Sequence, residues 1–328
     1  MIPVLLVTGF LGSGKTTLIR CILADARFAR SAVIVNEWGE IGLDHDLIAS
    51  ADESLLELST GCLCCRVSSD LTRTFAALAE KGGGRYDRVL IETSGLADPA
   101  PILHGLLTDS AIRAAHALAG TLTLVDARSG EASLSRHPEA RRQVAFADRL
   151  LITKTDLAPE TPALDRALGA LNPDAERLAA VRGAIAPEIL FAPVRPGAAR
   201  AIPPAVAAHS AGITSTILVR ERPVPALALV LLLQALAEHC GRRLLRVKGL
   251  VNVAEMPGRP ALIHGVQHLF EPPVWLPAWP SEDQHTRLVL IGEGIPRHFP
   301  ARLLAAIEEE VVEESAADAN LTLAGRAG

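Results

Sequence analysis

The phosphate-loop motif at residues 9–17 constrains the fold of this chain more than any other feature of its sequence. These residues read Gly-Phe-Leu-Gly-Ser-Gly-Lys-Thr-Thr and satisfy the pattern G-x-x-x-x-G-K-[ST]. An apolar run at 3–8 precedes the motif, and a helical pattern near 15–27 follows it. This strand–turn–helix context predicts a P-loop nucleotide-binding domain and argues against a chance match in a glycine-rich turn.

Each residue type in the motif has a chemical reason. Glycines let backbone N–H groups point at phosphates, and the N-terminus of the following helix adds its positive end. Lys15 is expected to reach the β- and γ-phosphates, and the Thr16 hydroxyl is expected to bind Mg²⁺. The predicted nucleotide contacts in this segment are Gly9, Gly12, Ser13, Gly14, Lys15, Thr16 and Thr17.

Apolar runs and helical patterns alternate along residues 1–195, which predicts an α/β P-loop NTPase domain with a mainly parallel sheet covered by helices. Proline, glycine and alanine dominate the next segment, 196–213, which is interpreted as a linker. Residues 214–328 predict a smaller α+β domain. The strands expected in the first domain are 3–8, 32–36, 55–58, 88–93, 121–126 and 149–153, with helices near 15–27, 68–80, 138–147 and 161–171.

Charge and hydropathy exclude several classes of protein. The 32 basic residues are balanced by 37 acidic ones, so tracking of a nucleic-acid backbone has little electrostatic support. The most apolar later stretch, 226–233, is too short to span a bilayer and predicts a packed helix. No targeting segment is evident, so the expected location is the cytoplasm, with no membrane partner.

A second acidic motif, Glu-Thr-Ser-Gly-Leu-Ala-Asp-Pro at 92–99, directly follows the apolar run RVLI. A carboxylate at a strand end with a glycine three residues on suits a switch that senses Mg²⁺ and the γ-phosphate. Glu92 is therefore predicted to act on Mg²⁺, directly or through water, and the Gly95 N–H to meet the γ-phosphate. With Lys15, these are the predicted catalytic residues; an ordinary strand-to-loop turn is the alternative.

Residues 153–156, Thr-Lys-Thr-Asp, resemble the N-K-x-D element that reads guanine in GTPases. Asp156 is expected to accept hydrogen bonds from guanine N1 and N2, a pattern that adenine does not offer, and the Lys154 stem to lie along the base. Thr153 replaces the usual asparagine and loses an amide contact. A helix-capping turn is the alternative, and an adenine preference would favour a P-loop kinase or ATPase.

Three of the five cysteines fall within four residues, in Gly-Cys-Leu-Cys-Cys at 61–65. Thiolates are soft ligands, so Cys62, Cys64 and Cys65 are predicted to form a partial tetrahedral site for Zn²⁺ or a comparable ion. The missing fourth ligand suits transfer of the ion better than permanent binding. A structural zinc, a redox pair and inert buried cysteines are the alternatives. The isolated cysteines are expected to be buried: Cys21 and Cys240.

The segment 36–46, Asn-Glu-Trp-Gly-Glu-Ile-Gly-Leu-Asp-His-Asp, combines four carboxylates with a histidine and two glycines. That composition suits a switch loop that reaches Mg²⁺ or the second metal. Glu37 is the preferred candidate ligand and Asp44 the next. A loop that is merely solvated is the alternative.

Together these segments resemble the CobW-like family of P-loop GTPases, which includes cobalamin-synthesis proteins and zinc metallochaperones. The resemblance implies a GTPase domain followed by a smaller CobW-type C-terminal domain, with the cysteine motif binding a cargo metal in a nucleotide-dependent way. The matching segments are GFLGSGKTT (9–17), NEWGEIGLDHD (36–46), GCLCC (61–65), ETSGLADP (92–99), TKTD (153–156) and RVKGLVNVAEMPGRPALIHGVQHLFEPPVWL (246–276).

The leading hypothesis is a GTP-hydrolysing metallochaperone or metal insertase that delivers zinc or cobalt to a client protein. Its expected cofactors are GTP, Mg²⁺ and either Zn²⁺ or Co²⁺. The expected partner is a client metalloenzyme or a metal-chelating complex, and a homo-oligomer is left open. The alternative is a GTP-dependent regulatory or docking protein in which the cysteines hold a structural zinc.

Overall fold

The computed structural model describes residues 1–36, 55–57, 66–82, 86–192 and 212–324. The described residues form two compact units, one ending at residue 192 and one beginning at 212. The boundaries predicted at 195 and 214 stay predictions, because residues 193–211 lie outside the described ranges.

The first unit is built around a parallel sheet in which β1 lies between β4 and β5. Its described strands follow the order β3-β2-β4-β1-β5-β6-β7, and each neighbouring pair is parallel. The carboxyl end of β1 is therefore central in one edge of the sheet. The strands are β1 (Ile2–Gly9), β2 (Ser31–Asn36), β3 (Leu55–Glu57), β4 (Arg88–Thr93), β5 (His116–Asp126), β6 (Arg149–Thr153) and β7 (Glu176–Ala180).

Helices cover this sheet, as the continuous apolar strands predicted. Leu5, Leu6 and Val7 of β1 are all buried, although successive side chains point to opposite faces. Both faces of the sheet are therefore covered, which confirms the predicted α/β class. The helices are α1 (Lys15–Leu23), α2 (Arg66–Gly82), α3 (Ala100–Thr108), α4 (Ser110–Arg113), α5 (Gly130–Arg136), α6 (Pro138–Phe146), α7 (Pro162–Leu171) and α8 (Pro187–Phe191).

Some elements of the first unit differ from the sequence-based expectation. Strand β5 begins at His116, earlier than the predicted start at 121. The residues before 121 also pair with β1, and a bulge near Gly120 shifts the register without interrupting the strand. The short edge strand β7 was not predicted, since Ala180 is its only buried residue and its apolar residues are one leucine and two alanines, not the β-branched residues typical of strands. Helices α3, α4, α5 and α8 were also missed, and each has at most nine residues.

The second unit is the expected smaller α+β domain. Its antiparallel sheet has the order β11-β10-β9-β13-β8, with β12 also pairing with β10. The strands are β8 (Ile213–Arg220), β9 (Leu244–Val251), β10 (Ala261–Val266), β11 (Leu269–Phe270), β12 (Val274–Trp275) and β13 (Thr286–Glu293), and the helices are α9 (Ala226–Cys240) and α10 (Phe299–Ala324).

The apolar run 226–233 forms the first half of α9, which buries Ala228, Leu229 and Leu232. These residues pack in the core of the second unit with strand residues such as Val247 and Leu290. Within the described ranges, none of the helices combines the length and the apolar character needed to cross a bilayer.

Candidate nucleotide site

The phosphate loop connects β1 to α1 at the centre of the carboxyl edge of the first sheet. Gly9 has a φ of +144°, and a Cβ there would lie 2.5 Å from the Leu124 carbonyl oxygen, so only glycine fits. Gly12 and Gly14 have φ values of +71° and +97°, and Gly14 forms the N-cap of α1. Gly14 has no side chain to cap α1, which suits a helix N-terminus that meets an anion.

Lys15 is the first residue of α1, and its ammonium group lies inside the loop. It donates hydrogen bonds to the carbonyl oxygens of Gly9 (2.8 Å) and Phe10 (3.3 Å). The side chain is buried, so the charge stands in a confined and partly dehydrated place. Phosphate oxygens at the mouth of the loop would compete with these two carbonyls for the same three N–H donors. The geometry therefore agrees with the role predicted for Lys15.

Thr16 and Glu92, which are distant in sequence, meet directly. The Thr16 hydroxyl donates to Glu92 Oε1 at 2.8 Å, and Glu92 is buried at the end of β4. A hydroxyl and a carboxylate are hard oxygen donors of the kind that Mg²⁺ prefers. The pair therefore fits the predicted magnesium site. Thr17 is exposed in the same helical turn, and its role as a nucleotide contact stays a prediction.

Gly95 packs directly on the phosphate loop. A Cβ at this position would lie 2.8 Å from the Leu11 nitrogen and 2.9 Å from Leu11 Cα, so a side chain would push the two loops apart. The residues after β4 therefore follow the phosphate loop closely. This contact brings Gly95 to the region where its N–H was expected to meet the γ-phosphate.

The TKTD segment is tied to the phosphate loop from the other side. Thr153 is buried, and its hydroxyl donates to the Ser13 carbonyl oxygen at 2.8 Å. Lys154, with a left-handed φ of 57°, donates to the Gly12 carbonyl oxygen at 2.8 Å. Thr153 therefore bonds directly to the phosphate loop. The sequence shows only that threonine stands in place of the usual asparagine, and this contact could not be inferred from it. Asp156 is exposed two residues beyond Lys154.

Asp126, which ends β5, is a site residue that the sequence analysis did not single out. Its carboxyl accepts a hydrogen bond from Lys154 at 2.7 Å. Burial raises the pKa of Asp126, but the bonds from Lys154 and the Arg128 N–H outweigh it, and the pKa lies below its ordinary value. An ionised Asp126 therefore holds the Lys154 ammonium beside the loop. The signal was present, because an acid ends the apolar run 121–126.

The turn after β7 also borders this site. Ala180 is the register partner of Thr153, so the chain leaves β7 beside the TKTD segment. Cys21 of α1 donates from its thiol to the Arg182 carbonyl oxygen at 3.4 Å. The expectation that Cys21 is buried was wrong, because α1 presents it on its outer face; Cys240 is buried, as expected.

The predicted metal-binding segments lie outside the described residues. This applies to both candidate carboxylates and to all three clustered thiols: Glu37, Asp44, Cys62, Cys64 and Cys65. Across the ranges that the structure describes, no group of three or more His, Cys, Asp or Glu side chains is arranged to hold a metal ion. Their assignment stays a prediction.

Comparison with known proteins agrees with this geometry. The CobW/HypB/UreG nucleotide-binding domain matches residues 3–179, and the cobalamin synthesis protein CobW C-terminal domain matches residues 213–308. The zinc chaperone YjiA of Escherichia coli (strain K12) is 33% identical over 304 residues, covering 90% of this chain and 95% of that protein. The zinc chaperone CobW of Pseudomonas aeruginosa is 33% identical over 338 residues, covering 90% and 88%.

A solved structure shows the same two-part fold. The crystal structure of zinc-bound YjiA GTPase from Escherichia coli superposes with a TM-score of 0.75 at 27% identity, covering 93% of this chain and 98% of that one. The matched domains together span both described units. The expected family is therefore confirmed, and this chain belongs to the CobW/HypB/UreG family of P-loop GTPases.

Proposed function

We propose that this chain is a GTP-hydrolysing metallochaperone or metal insertase that binds zinc or cobalt through Cys62, Cys64 and Cys65 and delivers it to a client protein. One observation carries the proposal. The strands that lead into both predicted metal-binding segments end at the same sheet edge as the nucleotide site.

The register of the sheet supports a coupling between the two sites. Asn36, the last residue of β2, pairs with Thr93, so the 36–46 segment leaves the sheet next to Glu92. Glu57, the last residue of β3, lies three strands from β1. At about 4.8 Å per strand, that separation is roughly 14 Å. Four residues lie between Glu57 and Cys62, and the five Cα-to-Cα steps span up to about 17 Å, so the thiols have enough chain to reach the nucleotide.

In this proposal, residues of the first unit carry the GTPase reaction. Lys15 binds the β- and γ-phosphates, and the Gly95 N–H meets the γ-phosphate. Thr16 and Glu92 would hold Mg²⁺, which neutralises charge on the phosphates. Glu37 and Asp44 of the 36–46 segment would reach Mg²⁺ or the second metal in the GTP state, and hydrolysis would remove that contact. The thiol site is competent in the first state and releases its ion in the second.

The relatives favour zinc as the cargo. Two similar proteins are named zinc chaperones, and the similar crystal structure is of a zinc-bound protein. A thiolate site also prefers Zn²⁺ to Co²⁺ on affinity, so cobalt delivery would depend on which metal is available. The partner implied is a metalloenzyme or chelating complex that accepts the ion.

The proposal predicts that GTP tightens metal binding. We expect the affinity for Zn²⁺ and for Co²⁺ to rise about 5- to 150-fold with Mg²⁺ and a non-hydrolysable GTP analogue, compared with Mg²⁺–GDP. The bound metal should in turn raise the affinity for the GTP analogue by the same factor, because coupling between two binding equilibria is symmetric. Competition with a chromogenic chelator measures the metal affinities.

Two outcomes would contradict this prediction. Equal metal affinities in the two nucleotide states would remove the coupling. A single zinc that survives chelator and does not respond to nucleotide would favour the alternative, a GTP-dependent regulatory or docking protein with a structural zinc.

Asp156 is proposed to select guanine. We expect Asp156→Asn to weaken GDP binding about 10- to 100-fold while leaving ADP binding unchanged, because an amide nitrogen would face the guanine donors where a carboxylate oxygen accepts them. Competition against a fluorescent nucleotide gives both affinities. Glu160→Gln, an equivalent change at an exposed acid in the same loop, is the control. An unchanged GDP-to-ADP ratio in the Asp156 variant would remove this residue as the guanine reader.

A further inference from the structure

We propose that Gln143 is a positioning residue for GTP hydrolysis, which fixes the loop carrying Gly95 against the phosphate loop. Gln143 lies on α6 and is fully buried. Its Nε2 donates to the carbonyl oxygens of Gly95 and Ala97, each at 3.1 Å. Both partners are acceptors, so the amide nitrogen, and not the oxygen, must face them. The inference rests on the proposed contact between the Gly95 N–H and the γ-phosphate.

The loop that carries Gly95 contacts both the phosphate loop and α6. Leu11 of the phosphate loop packs so closely on Gly95 that no Cβ fits between them. Gln143 contacts the same loop through its two hydrogen bonds to the Gly95 and Ala97 carbonyl oxygens. The neighbouring Arg142 forms an ion pair with Asp98 at 3.0 Å, which fixes the far end of the loop. Leu11 limits how closely the loop approaches the phosphate loop, and the bonds from α6 hold it in that contact.

The helix that carries Gln143 is itself anchored. The Thr123 hydroxyl on β5 donates to the Gln143 carbonyl oxygen at 2.8 Å. Asn172 donates from Nδ2 to the carbonyl oxygens of Val144 and Ala147, each at 2.8 Å, and so satisfies the last turn of α6. Gln143 therefore acts from a rigid support that is joined to the central sheet.

The cost of burying this amide supports a positioning role. Gln143 Oε1 has no hydrogen-bond partner among the described residues, and it lines a small cavity behind the phosphate loop with Ser13. A buried amide with an unsatisfied oxygen is less stable than a well-packed apolar side chain of similar size. This cost is offset by the two hydrogen bonds that the amide nitrogen donates to the Gly95 and Ala97 carbonyl oxygens.

The expected consequence is specific to the γ-phosphate. A displacement of the Gly95 amide by about 1 Å lowers a reaction rate up to roughly a hundredfold. GDP has no γ-phosphate, so its binding does not depend on that contact. Loss of Gln143 should therefore reduce kcat and the preference for GTP over GDP, while GDP affinity stays the same.

The test compares Gln143→Leu with the isosteric Gln143→Glu. We expect both variants to bind GDP within about twofold of the wild type, while kcat falls about 10- to 100-fold and the affinity ratio of a GTP analogue to GDP falls about tenfold. The glutamate variant keeps the side-chain volume but places a buried acid opposite two carbonyl oxygens, so a loss of folding in that variant would reflect the cost of the acid. Should Gln143→Glu fail to bind GDP, Gln143→Leu carries the test. Gln234→Leu, on an exposed glutamine in the second unit, is the control for the change of residue type.

Wild-type kcat and a wild-type affinity ratio of the GTP analogue to GDP in Gln143→Leu would overturn the inference. Gly95→Ala, measured in parallel, distinguishes this failure from failure of the role proposed for Gly95. If Gly95→Ala loses the preference for the GTP analogue over GDP and the Gln143 variants keep it, only the positioning role of Gln143 is wrong. If all of them keep it, the γ-phosphate contact of Gly95 is also wrong. None of these measurements uses the cargo metal, so the metallochaperone proposal is judged separately.

Discussion

Replacing Lys15 by alanine is expected to lower kcat/KM for GTP by roughly two to three orders of magnitude. The ammonium group lies within the phosphate loop, buried and bonded to the carbonyl oxygens of Gly9 and Phe10. Without it, those carbonyl oxygens would face the phosphates with no cation between them, which disfavours binding as well as hydrolysis. Steady-state phosphate release and equilibrium binding of a GTP analogue measure the two effects.

A matched control separates loss of the site from loss of charge in general. Arg113→Ala removes a cation from the exposed end of α4 and should leave both measurements unchanged. Thermal unfolding of Lys15→Ala should stay close to that of the wild type, because the change removes two bonds to carbonyls that water can then satisfy. Hydrolysis at the wild-type rate in Lys15→Ala would show that the phosphates bind elsewhere.

Changing Cys62, Cys64 and Cys65 together to serine is expected to weaken Zn²⁺ binding by more than about a hundredfold and to abolish its dependence on nucleotide. Neutral hydroxyls replace three thiolates, and they are far poorer ligands for a soft cation. The loss should exceed the roughly 10- to 100-fold effect of altering a residue that only supports a ligand. Binding of GTP without metal should be unchanged, because the phosphate-loop contacts remain.

The fourth cysteine of the first unit provides the control. Cys21 is exposed on α1 and its thiol donates a hydrogen bond to the Arg182 carbonyl oxygen, so Cys21→Ser should keep wild-type metal binding. Retained, nucleotide-dependent zinc binding in the triple variant would place the cargo site at other residues. A zinc that is lost together with thermal stability and irrespective of nucleotide would instead identify a structural site.

Features that depend on near neighbours in the chain were predictable from the sequence. The phosphate loop is an example, because its glycines, Lys15 and Thr16 are adjacent and their conformation follows from the turn itself. The central strands were predictable for a similar reason, since a strand buried on both faces must be continuously apolar. Strand β7 escaped prediction because an edge strand with one buried residue carries no such signal.

Contacts between distant segments required the folded chain. Thr16 and Glu92 are 76 positions apart, and their hydrogen bond exists only because β4 lies next to β1 in the sheet. The sequence assigned both residues to one ion, but only through the general behaviour of P-loop proteins. The bond between Thr153 and Ser13 spans 140 positions and was not anticipated.

The sequence by itself determined which chemical groups this protein carries: a phosphate-loop motif, a carboxylate at a strand end, the TKTD segment and a cluster of thiols. These are determined locally, because backbone freedom and ligand type are properties of individual residues and their neighbours. Only the tertiary structure decided that Asp126 holds Lys154 and that Gln143 holds the loop of Gly95. A buried glutamine or a strand-end aspartate has no pattern of its own, and its role depends on which chain segments the sheet brings beside it.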